Sequence, residues 1–141
     1  MTYLLDTNVI SEWARPRPDE GVVAWLSRTE EDLTFLSVCT LAELRFGVAR
    51  MPHGRRRRQL DDWLSNEIPM RFDGRIVAID VAVADAWGIV HARGKAVGRS
   101  IDVMDGLIAA TAEVHGMTVV TRDIADFKAV GTPVFNPWSK R

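Results

Sequence analysis

Thr2-Tyr3-Leu4-Leu5-Asp6-Thr7-Asn8 decides the fold. The run is apolar, too short for a helix, and ends on three residues that all serve as helix N-caps. Their side-chain oxygens accept the unpaired amide N–H groups of a first turn. The stretch therefore reads as a strand, Thr2 to Asp6, feeding a helix that ends near Arg15-Pro16-Arg17-Pro18. The alternation continues outward from there. Asp19 caps a second helix carrying Val22, Val23, Trp25 and Leu26, and Leu33 to Ser37 reads as a second strand. Thr40 to Met51 is helical, with Leu41, Leu44 and Val48 on one face, and Pro52 to about Ile68 forms another helix. Arg75 to Ile79 is a third strand, capped by Asp80 into a helix reaching about Lys95. Ser100 or Asp102 opens a helix ending at Gly116. Met117 to Thr121 is a strand, Asp123 starts a short helix, and Pro133 to Phe135 is a final small strand.

Short apolar strands joined by helices imply a sheet covered on both faces. The expected class is α/β: a three-layer α/β/α sandwich with a central, mostly parallel sheet of four to five strands. No repeat, linker or low-complexity tract divides residues 1–141, so one domain is expected. Sheets of this kind place their sites at the carboxyl ends of the strands. Asp6, Asp80 and Asp123 each stand just after a strand.

Hydrophobic residues make up 47% of the 141 and charged residues 26%, which is enough apolar material for a packed core. The apolar runs are short and broken by charge, so no membrane-spanning helix is expected. The N-terminal residues lack the basic start and apolar centre of a secretory signal. The single Cys39 has no partner for an internal disulfide and no Cys cluster holds zinc, so a reducing cytoplasm is the expected compartment. The net charge of −1 supplies no strong overall attraction to nucleic acid. Arginine dominates the basic residues, 15 Arg against 3 Lys, a bias that suits planar phosphate recognition but also follows from genome base composition.

Four carboxylates stand out: Asp6, Glu43, Asp105 and Asp123. Projected at about 100° per residue, Val103, Leu107, Ala110 and Val114 share one face of their helix. Asp105 points away from them, beside Ala109 and Ala112, where a solvated face would carry long polar side chains. Glu43 lies among Leu41, Ala42, Leu44 and Phe46, with no Lys or Arg three or four residues away. Singly, Asp6 and Asp123 read as helix caps, and Glu43 and Asp105 as exposed helix residues. Asp80 and Asp102 keep the cap reading. As a set, carboxylates converging at strand ends repel one another unless cations sit among them. Oxygen ligands without His or Cys select Mg²⁺ or Mn²⁺, the ions of phosphodiester hydrolysis.

These residues also carry a resemblance. Leu4-Leu5-Asp6-Thr7-Asn8-Val9-Ile10-Ser11, Leu41-Ala42-Glu43-Leu44-Arg45-Phe46-Gly47, Met104-Asp105-Gly106-Leu107-Ile108-Ala109-Ala110-Thr111-Ala112 and Val119-Val120-Thr121-Arg122-Asp123, the last followed by Asp126-Phe127, resemble in order and spacing the four motifs of the PIN-domain family. The likeness is strongest to VapC-type toxin ribonucleases of bacterial type II toxin–antitoxin systems. Two positions depart from the pattern: Gly106 stands where the family often has Ala, and Asp102 where it often has Pro. The resemblance implies a PIN-like sandwich and a Mg²⁺- or Mn²⁺-dependent endoribonuclease in which metal-activated water cleaves RNA to a 5′-phosphate and a 3′-hydroxyl. Asp6, Glu43, Asp105 and Asp123 would form its catalytic quartet, with Asp6 and Asp105 as direct metal ligands. Glu43 and Asp123 would act through water or on a second metal, and Thr7, Asn8 and Thr121 would be supporting polar groups. It also implies a VapB-type antitoxin as partner, a homodimer, and an antitoxin groove near Trp13 and Trp25.

Other residues are read on their own. Arg55-Arg56-Arg57-Arg58 is the strongest basic run; it reads as a solvated helix start or as a contact to RNA phosphate. Cations are unfavourable at a helix N-terminus, which makes the position unusual. Arg45, within an apolar band, either snorkels or pairs with a buried carboxylate. Trp13, Trp25, Trp63, Trp87 and Trp138 read mostly as core. His53, His91 and His115 are isolated, so a Ser-His-Asp hydrolase is not expected. A haloacid-dehalogenase-like phosphate-transfer enzyme would carry a second Asp two residues after the first, where Asn8 stands. A phospho-acceptor receiver would need a well-placed Lys, and Lys95, Lys128 and Lys140 do not fit. A PIN-like scaffold that binds without cutting conflicts with the intact quartet. A non-toxin PIN nuclease acting on DNA stays as an alternative, since activated water attacks either backbone.

Overall fold

A computed structural model describes residues 1–139; Lys140 lies outside the described residues. The chain runs β1 (Thr2–Leu5), α1 (Thr7–Trp13), α2 (Glu20–Arg28), β2 (Thr34–Ser37), α3 (Val38–Ala49), α4 (Arg55–Asp62), α5 (Ile68–Arg71), β3 (Ile76–Val77), α6 (Val81–Ala96), α7 (Val103–His115), β4 (Met117–Val120), α8 (Ala125–Ala129) and β5 (Val134–Phe135). All strand pairs are parallel, in the order β3-β2-β1-β4-β5.

The expected five-stranded sandwich is present, and β1 shows why it forms. Leu4 packs with Val119 into one apolar cluster, together with Val83, Val90 and Ile108 of α6 and α7. Leu5 packs with Val120 into the other, together with Val9, Ile10, Val22 and Trp25 of α1 and α2. Successive side chains on a strand point to opposite faces, so an apolar run is satisfied only when both faces are covered. The register pairs Leu4 with Val119 and Leu5 with Val120, which brings the carboxyl ends of the two central strands level. The chain leaves β1 toward β2 on one side and returns through β4 on the other. The crevice of a parallel sheet opens at this reversal.

Several caps act as read. Asp19, Asp80 and Asp102 accept from the N–H groups of Val22, Val83 and Met104, respectively. Four details differ from the sequence reading. First, α3 begins at Val38, with Ser37 rather than Thr40 at its start; the Ser37 hydroxyl accepts the Cys39 N–H at 3.0 Å. Second, the helix read from Pro52 begins at Arg55 and passes through a π-helical turn, Trp63–Glu67, where the Ile68 N–H bonds the Trp63 carbonyl. Pro69 lies two residues beyond that turn. It lacks an N–H and its ring crowds the carbonyl four residues back, so the chain widens before it. Third, the most buried part of α7 is not the Val103–Val114 face. Val103 and Val114 are 55% and 40% exposed, whereas Ala109 and Ala112 of the small-residue lane are 1% and 0% exposed. Fourth, α8 starts at Ala125, and Asp123 caps nothing. Among the described residues, no helix is long and apolar enough to cross a membrane.

Candidate active site

Asp6 follows β1 directly and is 6% exposed. Its Oδ1 accepts the Thr7 N–H at 2.8 Å, so it does cap α1. Its Oδ2 accepts the Thr121 hydroxyl at 2.8 Å, which a simple cap would not need. Thr121 follows β4 at the same level. Its oxygen also accepts from Asn8 Nδ2 and from the Asp123 N–H, both at 3.1 Å. One hydroxyl thus uses its single donor and both acceptor sites to tie the two strand ends together. Asn8 Nδ2 lies 3.3 Å from Asp123 Oδ2. From α3, Glu43 reaches across and accepts the Thr7 hydroxyl at 2.6 Å.

Asp6, Glu43, Asp105 and Asp123 line one cleft of about 420 Å³. None of the four takes part in an ion pair among the described residues. Burial and mutual repulsion shape the electrostatics of the cleft. Burial pushes the Asp105 carboxyl up to about 7, and the charges of Asp6, Asp102, Glu43 and Asp126 push in the same direction. Burial also raises Asp6, with Glu43 and Asp123 adding to the shift and the Thr121 and Thr7 hydrogen bonds opposing it.

The donor set is entirely oxygen, the chemistry of a hard divalent cation. Among the described residues, no three acidic, His or Cys side chains close into a ready-made metal cage. This arrangement fits Mg²⁺, which keeps most of its water and is commonly held by one or two carboxylates.

The other singled-out residues divide. Gly106 departs from the usual Ala for a steric reason: a Cβ there would lie 2.9 Å from Trp87 Nε1. Trp13 lines an apolar groove of about 280 Å³ with Leu26, Arg71 and Phe72, and the Arg71 guanidinium lies 4.4 Å from its ring centroid. Trp25 is a correction. It is 5% exposed and packs edge-on against Tyr3, because the spacing of α2 turns it into the core, so it is not part of the groove wall. Arg45 pairs with Asp61 at 2.7 Å, an exposed carboxylate rather than a buried one. In the basic run, Arg56 lines a small cavity with Thr7 and Glu43, whereas Arg57 turns back to the Met51 carbonyl. Arg55 and Arg58 are exposed. His91 stacks on Trp87, and His53 and His115 are exposed.

Five residues that line the cleft had no site reading in the sequence: Ser11, Glu12, Arg15, Arg122 and Trp138, the last read as core and also packed partly against the core. Glu12 is 7% exposed, and its Oε2 accepts the Asp19 N–H at 2.8 Å, which closes the loop after α1. Its position one turn after Asn8 on α1 was the available signal.

A parallel sheet whose central strands deliver unpaired carboxylates to a shared cleft defines a class of acidic-pocket α/β domains. Within that class, the chain belongs to the PIN domain family, whose sequence profile matches residues 3–132. It is 46% identical over 135 residues to the toxin FitB of Neisseria gonorrhoeae, covering 96% of this chain and 97% of that one. It is 42% identical over 135 residues to the VapC ribonuclease Y4jK of Sinorhizobium fredii, covering 96% of each. A crystal structure of FitAcB from Neisseria gonorrhoeae superposes with a TM-score of 0.93 at 45% identity, covering 99% of this chain and all of that one (100%).

Proposed function

We propose that the chain is the ribonuclease toxin of a toxin–antitoxin pair, hydrolysing RNA phosphodiester bonds with a divalent cation and restrained by a cognate antitoxin. One observation carries the reading: Asp6, Glu43, Asp105 and Asp123 share a cleft, and among the described residues none of them is taken up in an ion pair, although Arg15 and Arg122 stand on its wall. Evolutionary likeness to proteins named toxin FitB and VapC ribonuclease gives the activity its direction.

Asp6 and Asp105 would hold Mg²⁺ or Mn²⁺. When bound, such an ion lowers the pKa of a coordinated water and offsets charge on the phosphoryl oxygen. The chain's own residues supply the rest. Thr121 and the Thr7 N–H hold the Asp6 carboxylate in one orientation. The Thr7 hydroxyl orients Glu43, and Asn8 orients Asp123, so both stand ready to take or pass a proton at the cleft wall.

The groove at Trp13 supports the antitoxin part of the reading, since an apolar trough suits a partner segment with an apolar face. A basic side chain entering the cleft would occupy the cation's place. Exposed Ile89 of α6, with Val103 and Val114 of α7, provides the apolar surface that a homodimer would cover. Cys39, buried and free, is consistent with a reducing cytoplasm.

The test is cleavage of total RNA by the purified protein with Mg²⁺, together with sequencing of 5′-phosphate ends, wild type beside Asp6→Asn. The wild type should generate new ends and inhibit growth on induction, and Asp6→Asn should do neither while keeping its fold. A fully active Asp6→Asn protein with the same metal requirement would overturn the assignment. Co-expression with the small protein encoded beside it should yield a stable, inactive complex.

A further inference from the structure

Residues 136–139 form a strap over the start of α2. Asn136 Oδ1 accepts the Trp138 N–H at 2.9 Å. Asp19 Oδ1 accepts the Ser139 N–H at 3.0 Å, and the Gly21 N–H donates to the Ser139 hydroxyl at 2.9 Å. A Cβ on Gly21 would stand 2.4 Å from the Pro137 carbonyl oxygen and 2.6 Å from the Ser139 nitrogen. The strap therefore has one seat, and Gly21 makes room for it.

That seat places Trp138 on the wall of the acidic cleft and, at the same time, on the wall of an adjoining cavity of about 570 Å³. Arg122 lines both spaces as well, with its guanidinium 5.6 Å from the Trp138 ring centroid. Arg122 adjoins Asp123 in sequence, yet among the described residues it makes no ion pair. A polyanion must approach a cleft that carries net negative charge. An aromatic face grips a base without regard to that charge or to base identity, and an unpaired cation beside it is available to a phosphate.

We infer that Trp138 and Arg122 form a nucleotide-binding subsite beside the cleavage centre, with Trp138 stacking a base of single-stranded RNA next to the scissile bond and Arg122 holding the adjoining phosphate. This rests on the ribonuclease reading above and adds to it the residues that hold the substrate.

The test uses the full chain and a single-stranded RNA oligonucleotide that the wild type cleaves, together with copies carrying one abasic nucleotide at successive positions near the cut. Trp138→Ala should raise KM about tenfold or more with a much smaller change in kcat, and Trp138→Phe should restore most of the loss. The Trp138→Ala penalty should vanish on one abasic copy, where no base is left to stack. Arg122→Gln, at an exposed position, should lower the salt slope of RNA binding by about one. Gly21→Ala, which unseats the strap without touching the cleft, should reproduce the Trp138→Ala change in KM. A KM that is unchanged in Trp138→Ala and Arg122→Gln while the wild type cleaves RNA would overturn the subsite alone. A penalty equal on every abasic copy would also overturn it. A wild type that neither binds nor cuts RNA would overturn the ribonuclease reading and the subsite together.

Discussion

Thr121 and Asp6 stand 115 residues apart in the chain, and the Thr121 hydroxyl donates to Asp6 Oδ2 at 2.8 Å. Both follow central strands directly, so this bond joins the two halves of the sheet at the point where the cleft opens.

Thr121→Val keeps the shape and removes the hydroxyl. It leaves a buried carboxylate oxygen, the Asn8 amide and the Asp123 N–H without their partner. The expected loss of stability is about 1–3 kcal/mol, measurable by urea unfolding. Cleavage should fall roughly ten- to a hundredfold as Asp6 and Asp123 lose their setting.

Asp105 makes stability depend on pH. Its carboxyl titrates at about 7 in the folded chain against an ordinary 3.8. The folded protein therefore holds this proton more tightly than the unfolded one does. The group's contribution to stability is full below about pH 4 and is lost as pH rises through about 7. In chelator, Asp105→Asn should melt higher than wild type near neutral pH, and the difference should shrink toward pH 4. Mg²⁺ should raise the wild-type Tm near pH 8, where the carboxylate is charged, and do little near pH 4. A Tm gap independent of pH would count against the crowded-carboxylate account.

The basic run should divide in function. Arg56 borders the cavity shared with Thr7 and Glu43 and also donates to the Ala14 carbonyl at 3.1 Å, so Arg56→Gln should both reduce the salt slope of RNA binding by about one and lower Tm. Arg57 is engaged with the Met51 carbonyl, so Arg57→Gln should leave that slope unchanged and lower Tm alone. Filter binding across a salt series separates the two.

Gly106→Ala sets two effects against each other. Replacing a helical glycine gains up to about 1 kcal/mol. A Cβ 2.9 Å from Trp87 Nε1 forces a rigid ring aside, and overpacking of that kind costs about 1–3 kcal/mol. The net expectation is a small loss of stability, read by thermal melting with Trp fluorescence reporting the displaced ring.

The sandwich was legible because the central strands β1 and β4 are buried on both faces, which leaves the runs Leu4-Leu5 and Val119-Val120 bounded by capping residues. The quartet was legible as residue types at strand ends and on a lane of small residues. What stayed hidden depends on chain segments that return from afar. Glu12 gains its role only because the loop brings the Asp19 N–H to it, and Trp138 only because the strap seats on Gly21. The small-residue lane of α7 is buried, as its lack of long polar side chains suggested, while the helix is apolar nearly all round, so periodicity alone does not choose a face. The π-helical turn before Pro69 is invisible to any periodic template.

The strand order carries a consequence in time. β1 lies early and β4 late among the described residues, yet β4 is the neighbour that completes the crevice at β1. Until Met117–Val120 pairs with Thr2–Leu5, Asp6 has neither Thr121 nor Asp123 beside it, so the acidic pocket is the last thing this sheet can assemble.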